Sequence, residues 1–431
     1  MSREMKYSGI PWIGEIPNGW STIQAKFYCK SVYAGGTPDS NNMDYWDGDI
    51  PWLPSGACQD CVVKEAKKFI TQAGFDNSTT KLIPPYTTIM AMTGATCGNV
   101  GYITFEACAN QSVVAYIKRS NLFSKYLFYA LLSAREYILT YQTGGAQAGI
   151  NVQNCKNFIV PYVPIAEQQK IASFLDGKCA EIDEMIALQE KIVEELKAYK
   201  QSVITEAVTK GLNPDVPMKD SGIEWIGEIP EHWEVGRMKN LCNQNPNSLS
   251  EKTDKDIEFD YVDIGSVSFE KGVFNTEHYK FSEAPSRARR KANFGDFIMS
   301  TVRTYLRAID VIDTQEKANY IYSTGFAVLT PKAHISYKFL SYISKSQYFL
   351  EQVTTLSRGI NYPSINSTDL MTICVAHPSI EEQIQISDYL DKRCTEIDNL
   401  ISIKLSKIDS LKEYKKSIIY EYVTGKKEVK E

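Results

Sequence analysis

EQQKIASFLDGKCAEIDEMIALQEKIVEELKAYKQSVITEAVT, residues 167–209, is answered 215 residues later by EQIQISDYLDKRCTEIDNLISIKLSKIDSLKEYKKSIIYEYVT, residues 382–424. In the first stretch Ile182, Ile186, Gln189, Val193, Leu196, Lys200 and Val203 step by four and three, the spacing at which one helix presents a stripe to another. Ile397, Ile401, Ile408, Leu411 and Ile418 hold the corresponding places in the second. Neither stretch contains proline, so little interrupts either helix; Gly177 is a mild weakness. The run from Lys178 to Thr209 alone spans ~48 Å at about 1.5 Å per residue, more than one small domain covers. Matching stripes predict that the two helices bury each other, with surplus apolar surface for a further partner. The alternative is that each packs on its own neighbouring domain.

Outward from the helices, SGIPWIGEIPNGW (8–20) returns as SGIEWIGEIPEHW (221–233), 213 residues on. Two matched blocks at nearly one offset mean two copies of one unit, each with a Trp/Pro-rich opening, a middle of ~140 residues and a helical tail. The middles, roughly 21–160 and 234–376, show little obvious similarity to each other. GLNPDVPMKDSG (211–222) stops the first helix and returns the chain to the second opening. The predicted segments are therefore 1–160, an opening and first recognition domain; 161–212, a central helical region; 213–376, linker, second opening and second recognition domain; and 377–431, a C-terminal helical region. Matched frames around unmatched contents make the frame architecture and the middles the part that differs.

At 431 residues the chain exceeds one ordinary core, and 43% hydrophobic with 23% charged residues is a globular composition. No apolar run approaches the roughly 18 residues of a membrane span, and MSREMKYSGIPW lacks the apolar centre of a signal peptide, so a cytoplasmic protein with no membrane partner is expected. Ten cysteines are scattered singly apart from Cys58 and Cys61. That pair has no second ligand pair nearby, so two reduced loop thiols are expected and no metal site. A net charge of −5 argues against a protein that simply coats DNA; for a nucleic-acid partner the basic residues must be segregated locally.

Both middles read as mixed α+β domains with a curved sheet. Strands are predicted at Thr87–Met92, Val100–Phe105 and Ser112–Ile117 with a helix near Ser124–Thr140, then at Asp260–Ile264, Phe297–Val302, Ala308–Ile312 and Ala327–Leu329 with a helix near Tyr337–Val353. Their loops are polar and glycine-bearing: AGGTPDSNN (34–42), MTGATCGNVG (92–101), ANQS (109–112) and QTGGAQAGIN (142–151). Gly35, Gly36, Thr37, Thr93, Thr96, Asn110, Gln111, Gln147 and Asn151 are the candidates there, since Thr, Asn and Gln reach base edges and glycine admits a phosphate to the backbone. The second middle adds Arg287, Arg289, Arg290 and Lys291, then Arg303, Tyr305 and Arg307, a cluster suited to phosphate contact and arginine readout of guanine. SRGINYP (357–363) is matched to QAGIN (147–151), which adds Arg358, Asn361 and Tyr362. Ordinary turns and solvated basic loops use the same residues.

Catalytic signatures are missing. The Pro-Pro-aromatic site reads Ile83-Pro84-Pro85-Tyr86, and isoleucine offers no acceptor for the amine of a target adenine. There is no G-x-G-x-x-G turn and no phosphate loop. Acid–lysine spacings such as Asp313, Glu316 and Lys317 fall at chance level, and His232, His278, His334 and His377 lie far apart without a motif.

The chain resembles, over nearly its whole length, the specificity subunit of Type I restriction–modification enzymes. The strings that carry this are WIGEIP before each middle, GGTP at 35–38 and TGATCGNVG in the first, GIN at 149–151 and 359–361, and P-x-x-EQ-x-x-I opening each tail, one residue longer in the second. The resemblance implies two target-recognition domains, each reading half of a split sequence in double-stranded DNA. It implies an antiparallel coiled coil of the two tails with pseudo-twofold symmetry, setting the spacing and docking two methyltransferase subunits, with restriction subunits joining them. S-adenosylmethionine, ATP and Mg would belong to those partners, leaving this chain without cofactor or catalysis. The competing readings are a self-contained methyltransferase or nuclease with divergent motifs, and a coiled-coil scaffold whose middles bind protein.

Overall fold

In the computed structural model, which describes residues 3–144 and 148–429, the helices run Ile165–Lys210 and Ile380–Val423. The first begins well before Lys178. Gly177 stands in open space on it, so its cost is only the roughly 1 kcal/mol of backbone entropy relative to alanine. By spatial contact the chain forms two compact units, Met1–Gln189 with Ser406–Glu431, and Glu190–Leu405. The segments read from the sequence give the order along the chain; the units regroup them, each taking part of both helices.

In the first unit the helices pair antiparallel. Phe174 lies 4.4 Å from Tyr422, and further along Asp183 takes the Lys415 ammonium at 2.7 Å. Ile182 is buried with Ile418, Ile419 and Val423, while Ile186 and Leu411 close the margin of that core. The second unit repeats the arrangement: Val203, Ile204, Ala207 and Val208 share a core with Ile386, Leu390 and Cys394, and Lys200 meets Asp398 at 2.7 Å. Of the stripe, Ile182, Val193, Val203, Ile397, Ile408 and Ile418 are buried, and Ile186, Leu196, Ile401 and Leu411 half-buried. The two packing alternatives prove complementary. Ile171, Ala172 and Leu175, in the opening turns, pack on their own middle through Tyr126 and Leu127, and later turns pack on the other helix.

The repeated motifs join the opening to the tail. Residues 5–17 and 218–230 are hairpins, Met5–Tyr7 with Glu15–Pro17 and Met218–Asp220 with Glu228–Pro230. Each delivers a buried tryptophan: Trp20 Nε1 donates to Glu167 at 2.9 Å, and Trp233 Nε1 to Glu382 at 3.1 Å. The adjacent glutamines are fully buried. Gln168 donates to the Val163 and Asn121 carbonyls and accepts from Phe123 N; Gln383 donates to the Pro378 and His334 carbonyls and accepts from Ser336 N. In each copy, then, the Glu holds the tryptophan while the Gln clamps three backbone groups, one just before the helix and two in the middle.

The first middle carries a five-stranded sheet in the order Ser31–Ala34, Val113–Ile117, Thr87–Ala91, Val100–Ile103, Cys61–Val63, and a three-stranded sheet centred on Trp46–Leu53. The second carries two four-stranded sheets. One runs Cys242–Gln244, Phe326–Pro331, Phe297–Ser300, Ile309–Val311; the other runs Glu277–Lys280, Glu258–Val262, Ile321–Ser323, Ala288–Lys291. Thr87–Ala91 and Phe297–Ser300 are buried on both faces, so their sequences do not alternate apolar with polar residues. The expected helices fall at Ser124–Ser133 with Arg135–Leu139, and at Tyr337–Lys345 with Gln347–Leu356.

Candidate nucleic-acid interface

Each buried central strand leads into the same short turn. After Thr87–Ala91 the chain makes a 3-10 turn at Gly94–Thr96 and returns as Val100–Ile103; after Phe297–Ser300 it makes one at Thr304–Leu306 and returns as Ile309–Val311. The bond that closes each turn onto its strand is the same. Ala91 N donates to Asn99 O at 2.9 Å, and Ser300 N to Ala308 O at 2.9 Å. Two positions of each turn have left-handed backbone: Gly94 and Gly98 at φ 69° and 80°, Arg303 and Arg307 at φ 52° and 48°. The middles, so unlike in sequence, share this turn.

A second loop leans on each turn. In the first unit Thr143 and Gly149 pair across a narrow loop, Gly149 also bridges to Thr93, and Ile150 N donates to Met92 O at 2.8 Å. In the second, Arg358 and Ser364 pair, Ser364 bridges to Val302, and Ile365 N donates to Thr301 O at 2.9 Å. Gly144 and Gly359 share φ 105°. Asn151 and Asn366 each cap the short helix that follows, accepting from Asn154 N at 2.8 Å and Asp369 N at 2.7 Å.

This corrects the sequence match between the two copies. The counterpart of Gly149-Ile150-Asn151 is Ser364-Ile365-Asn366, 215 residues on, at the same offset as the helices. Gly359-Ile360-Asn361 instead lies at the exposed loop tip. The shared letters misled because an exposed tip and a capped helix start can both read Gly-Ile-Asn; the offset of the tails was the signal that could have found Asn366.

The tip and turn bring together Arg303, Tyr305, Arg307, Arg358, Asn361 and Tyr362, all exposed. Ile360, which sequence reasoning passed over, is 99% exposed at the tip. The Arg303 guanidinium lies over the Tyr362 ring at 5.3 Å and that of Arg307 over Phe269 at 5.8 Å. Thr304, buried between them, anchors the turn to the loop: its hydroxyl meets that of Ser357 at 2.8 Å and its N–H donates to Pro363 O at 3.2 Å. A cleft of about 400 Å3 opens beside the turn, lined by Ser300, Thr304, Tyr305, Arg307, Ser357 and Pro363. Among the described residues, no carboxylate lies within 4 Å of Arg287, Lys291, Arg303 or Arg307; Arg358 has Asp369 at 3.6 Å.

Arg287 joins this edge through backbone, its carbonyl accepting from Thr324 N beside Gly325, whose own carbonyl accepts from Thr301 N. Its neighbours are used differently. Arg289 donates to Ala288 O and stacks on Phe281 at 4.8 Å; Arg290 is half-buried and reaches Ser248 at 3.3 Å. Lys291 is exposed at the end of their strand.

In the first unit Thr93 and Thr96 lie on the turn and Asn151 at the cap, while Gln147 falls outside the described residues. Thr37, Asn110 and Gln111 form another group, with Thr37 hydrogen-bonded to Gln111 and Asn110 accepting from Ser112 N. Gly35 and Gly36 are pressed against the protein's own backbone, since a Cβ would stand 1.9 Å from Ala109 O and 2.5 Å from Thr80 N. Their missing side chains serve close packing of the chain on itself. Cys58 is buried, which pushes its thiol up to about 12, whereas Cys61 is exposed.

A family model for the Type I restriction modification DNA specificity domain matches the chain twice, at residues 17–198 and 230–426. The chain belongs to that family. It is 23% identical over 425 residues to the Type I restriction enzyme MjaVIII specificity subunit of Methanocaldococcus jannaschii, covering 96% of this chain and 94% of that one. A solved chain from work on complex assembly and conformational transition of the type I R-M system shares the fold, with a TM-score of 0.70, 17% identity and coverage of 95% and 98%. The HsdS subunit of Thermoanaerobacter tengcongensis matches with a TM-score of 0.51, 16% identity and the same coverage. Among the described residues, no helix is long and apolar enough to cross a membrane.

Proposed function

We propose that this chain is the non-catalytic DNA reader of a Type I restriction–modification complex, each unit taking one half of a bipartite double-stranded target. The observation that carries this reading is the duplicated turn: one backbone frame presents Gly94, Thr96 and Gly98 in one unit and Arg303, Tyr305 and Arg307 in the other. A frame repeated with different side chains suits two unlike half-sites. Base edges are read by the side chains, and the frame fixes their register.

The long helices are the docking site for two copies of a methyltransferase subunit and set the spacing between half-sites. Met185, Leu188 and Tyr414 are exposed in the first unit; their repeats at the 215-residue offset, Leu400, Ile403 and Tyr199, are exposed in the second. A surface duplicated by the pseudo-twofold fits a partner that comes twice. S-adenosylmethionine, ATP and Mg are bound by the methyltransferase and restriction partners. With a net charge of −5, the chain alone binds DNA weakly and gains affinity within the complex.

The test is methylome sequencing of a host carrying this chain with its methyltransferase subunit. A split motif with an unread spacer, absent when either subunit is omitted, is expected. Methylation or cleavage by the purified chain alone would establish the self-contained enzyme instead. Full DNA-independent assembly with no motif would leave a protein scaffold.

A further inference from the structure

We propose that Arg303 and Arg307 are specificity-determining residues that read guanine in the half-site taken by the second unit; this rests on the bipartite-reader function above. Both occupy left-handed backbone, which is strained for any residue with a Cβ. The sister turn meets the same geometry with Gly94 and Gly98, so the fold asks for no side chain at either place. What arginine adds is its guanidinium.

The surroundings prepare both forks for a ligand. Among the described residues neither has a carboxylate within 4 Å, so neither is committed to an ion pair. Each lies over an aromatic ring, Arg303 on Tyr362 and Arg307 on Phe269, an arrangement that orients the plane and leaves the N–H edge open. The turn beneath is fixed by Leu306 N to Arg303 O at 2.9 Å, Arg307 N to Thr304 O at 3.0 Å, and the buried Thr304 contacts to Ser357 and Pro363. An oriented, unpaired fork on a fixed turn matches the O6 and N7 acceptors of guanine in the major groove, a bidentate contact that discriminates among bases. Phosphate would be held as well by a mobile lysine. Arg289 and Arg290, engaged with their own chain, are not readers.

The experiment is methylome sequencing with the full complex, comparing wild type with R303G, R307G, the double variant and R303K. Glycine accepts the left-handed backbone, so the double variant is expected to keep the wild-type melting midpoint. The expected result is a guanine in one half-site that becomes any base in R303G or R307G, with preference for it falling about 10-fold or more. The other half-site and the spacer stay as they were, and R303K fails to restore the preference. An unchanged motif, a wild-type motif without guanine in either half, or a loss equal across all sequences with a flatter salt dependence would overturn the assignment; the last marks phosphate contacts. Absence of any split motif in wild type overturns the bipartite reading itself, a result separate from these.

Discussion

Asp183 holds the Lys415 ammonium through both carboxylate oxygens at 2.7 Å, and Asp398 holds Lys200 in the same way. Each residue is its counterpart's repeat, 215 positions on. One pair of letters in the repeated sequence therefore makes one contact twice, with the roles of the two helices exchanged.

These ion pairs specify register more than they stabilise. Asp183 and Asp398 are each 56% exposed, and exposed pairs contribute up to about 1 kcal/mol. Ile397, buried in the neighbouring turn, loses about 2–5 kcal/mol on truncation to alanine. Denaturant titration of Asp398→Ala and Ile397→Ala is expected to show a small and a large shift of midpoint respectively; equal shifts would refute the ranking.

Gly35→Ala separates packing from recognition in the GGTP loop. Its Cβ would meet a backbone oxygen at 1.9 Å, which no rotamer relieves, so a loss of several kcal/mol, of order 3, is expected from overpacking. The measurement is thermal stability without DNA. A normal midpoint together with lost target binding would make Gly35 a contact residue instead.

Burial holds the His377 imidazole below its ordinary value of 6.5, with His334 adding to the lowering and Glu234 opposing it. The unfolded chain therefore takes up the proton first. Stability is fully present above about pH 6.5 and declines as pH falls from there through the lowered folded value. His278, exposed and raised by Asp260, works with the opposite sign, so the diagnostic is a difference between variants. Unfolding midpoints of His377→Gln should fall less than those of wild type between about pH 7.5 and about pH 5, a range that brackets the ordinary histidine value. Parallel curves would rule out His377 as the source.

Leu188→Lys and Ile403→Lys test the duplicated docking surface. Both positions are exposed, at 55% and 61%, so stability should change by no more than about 0.5 kcal/mol. Each single variant is expected to retain one methyltransferase subunit and the double variant none, read as complex mass by light scattering. Two subunits bound to the double variant would place the docking surface elsewhere.

The frame was legible because it is periodic: a stripe at helical spacing and a motif repeated at a fixed offset are visible without knowing what they touch. The twelve stripe residues are buried or half-buried in the structure. The role of Glu-Gln was invisible in the letters, since Gln168 and Gln383 clamp backbone groups some 45 residues away as well as nearby ones. The kinship of the two middles was also hidden. Gly94 and Arg303 look unrelated, and only the backbone shows that both supply a left-handed corner. Composition found the arginines but could not separate Arg303 and Arg307, open on a turn, from Arg289 and Arg290, folded onto their own strand.

The exchanged ion pair carries a consequence for a shorter polypeptide. A single copy already holds both halves of the lock, Asp183 as acceptor and Lys200 as donor, on one helix. Two such half-length chains, laid head to tail, would recover the Asp183–Lys200 contact twice over by true rather than approximate symmetry. A chain with one recognition domain would then field two in the pair, identical by symmetry where the present chain holds two that differ.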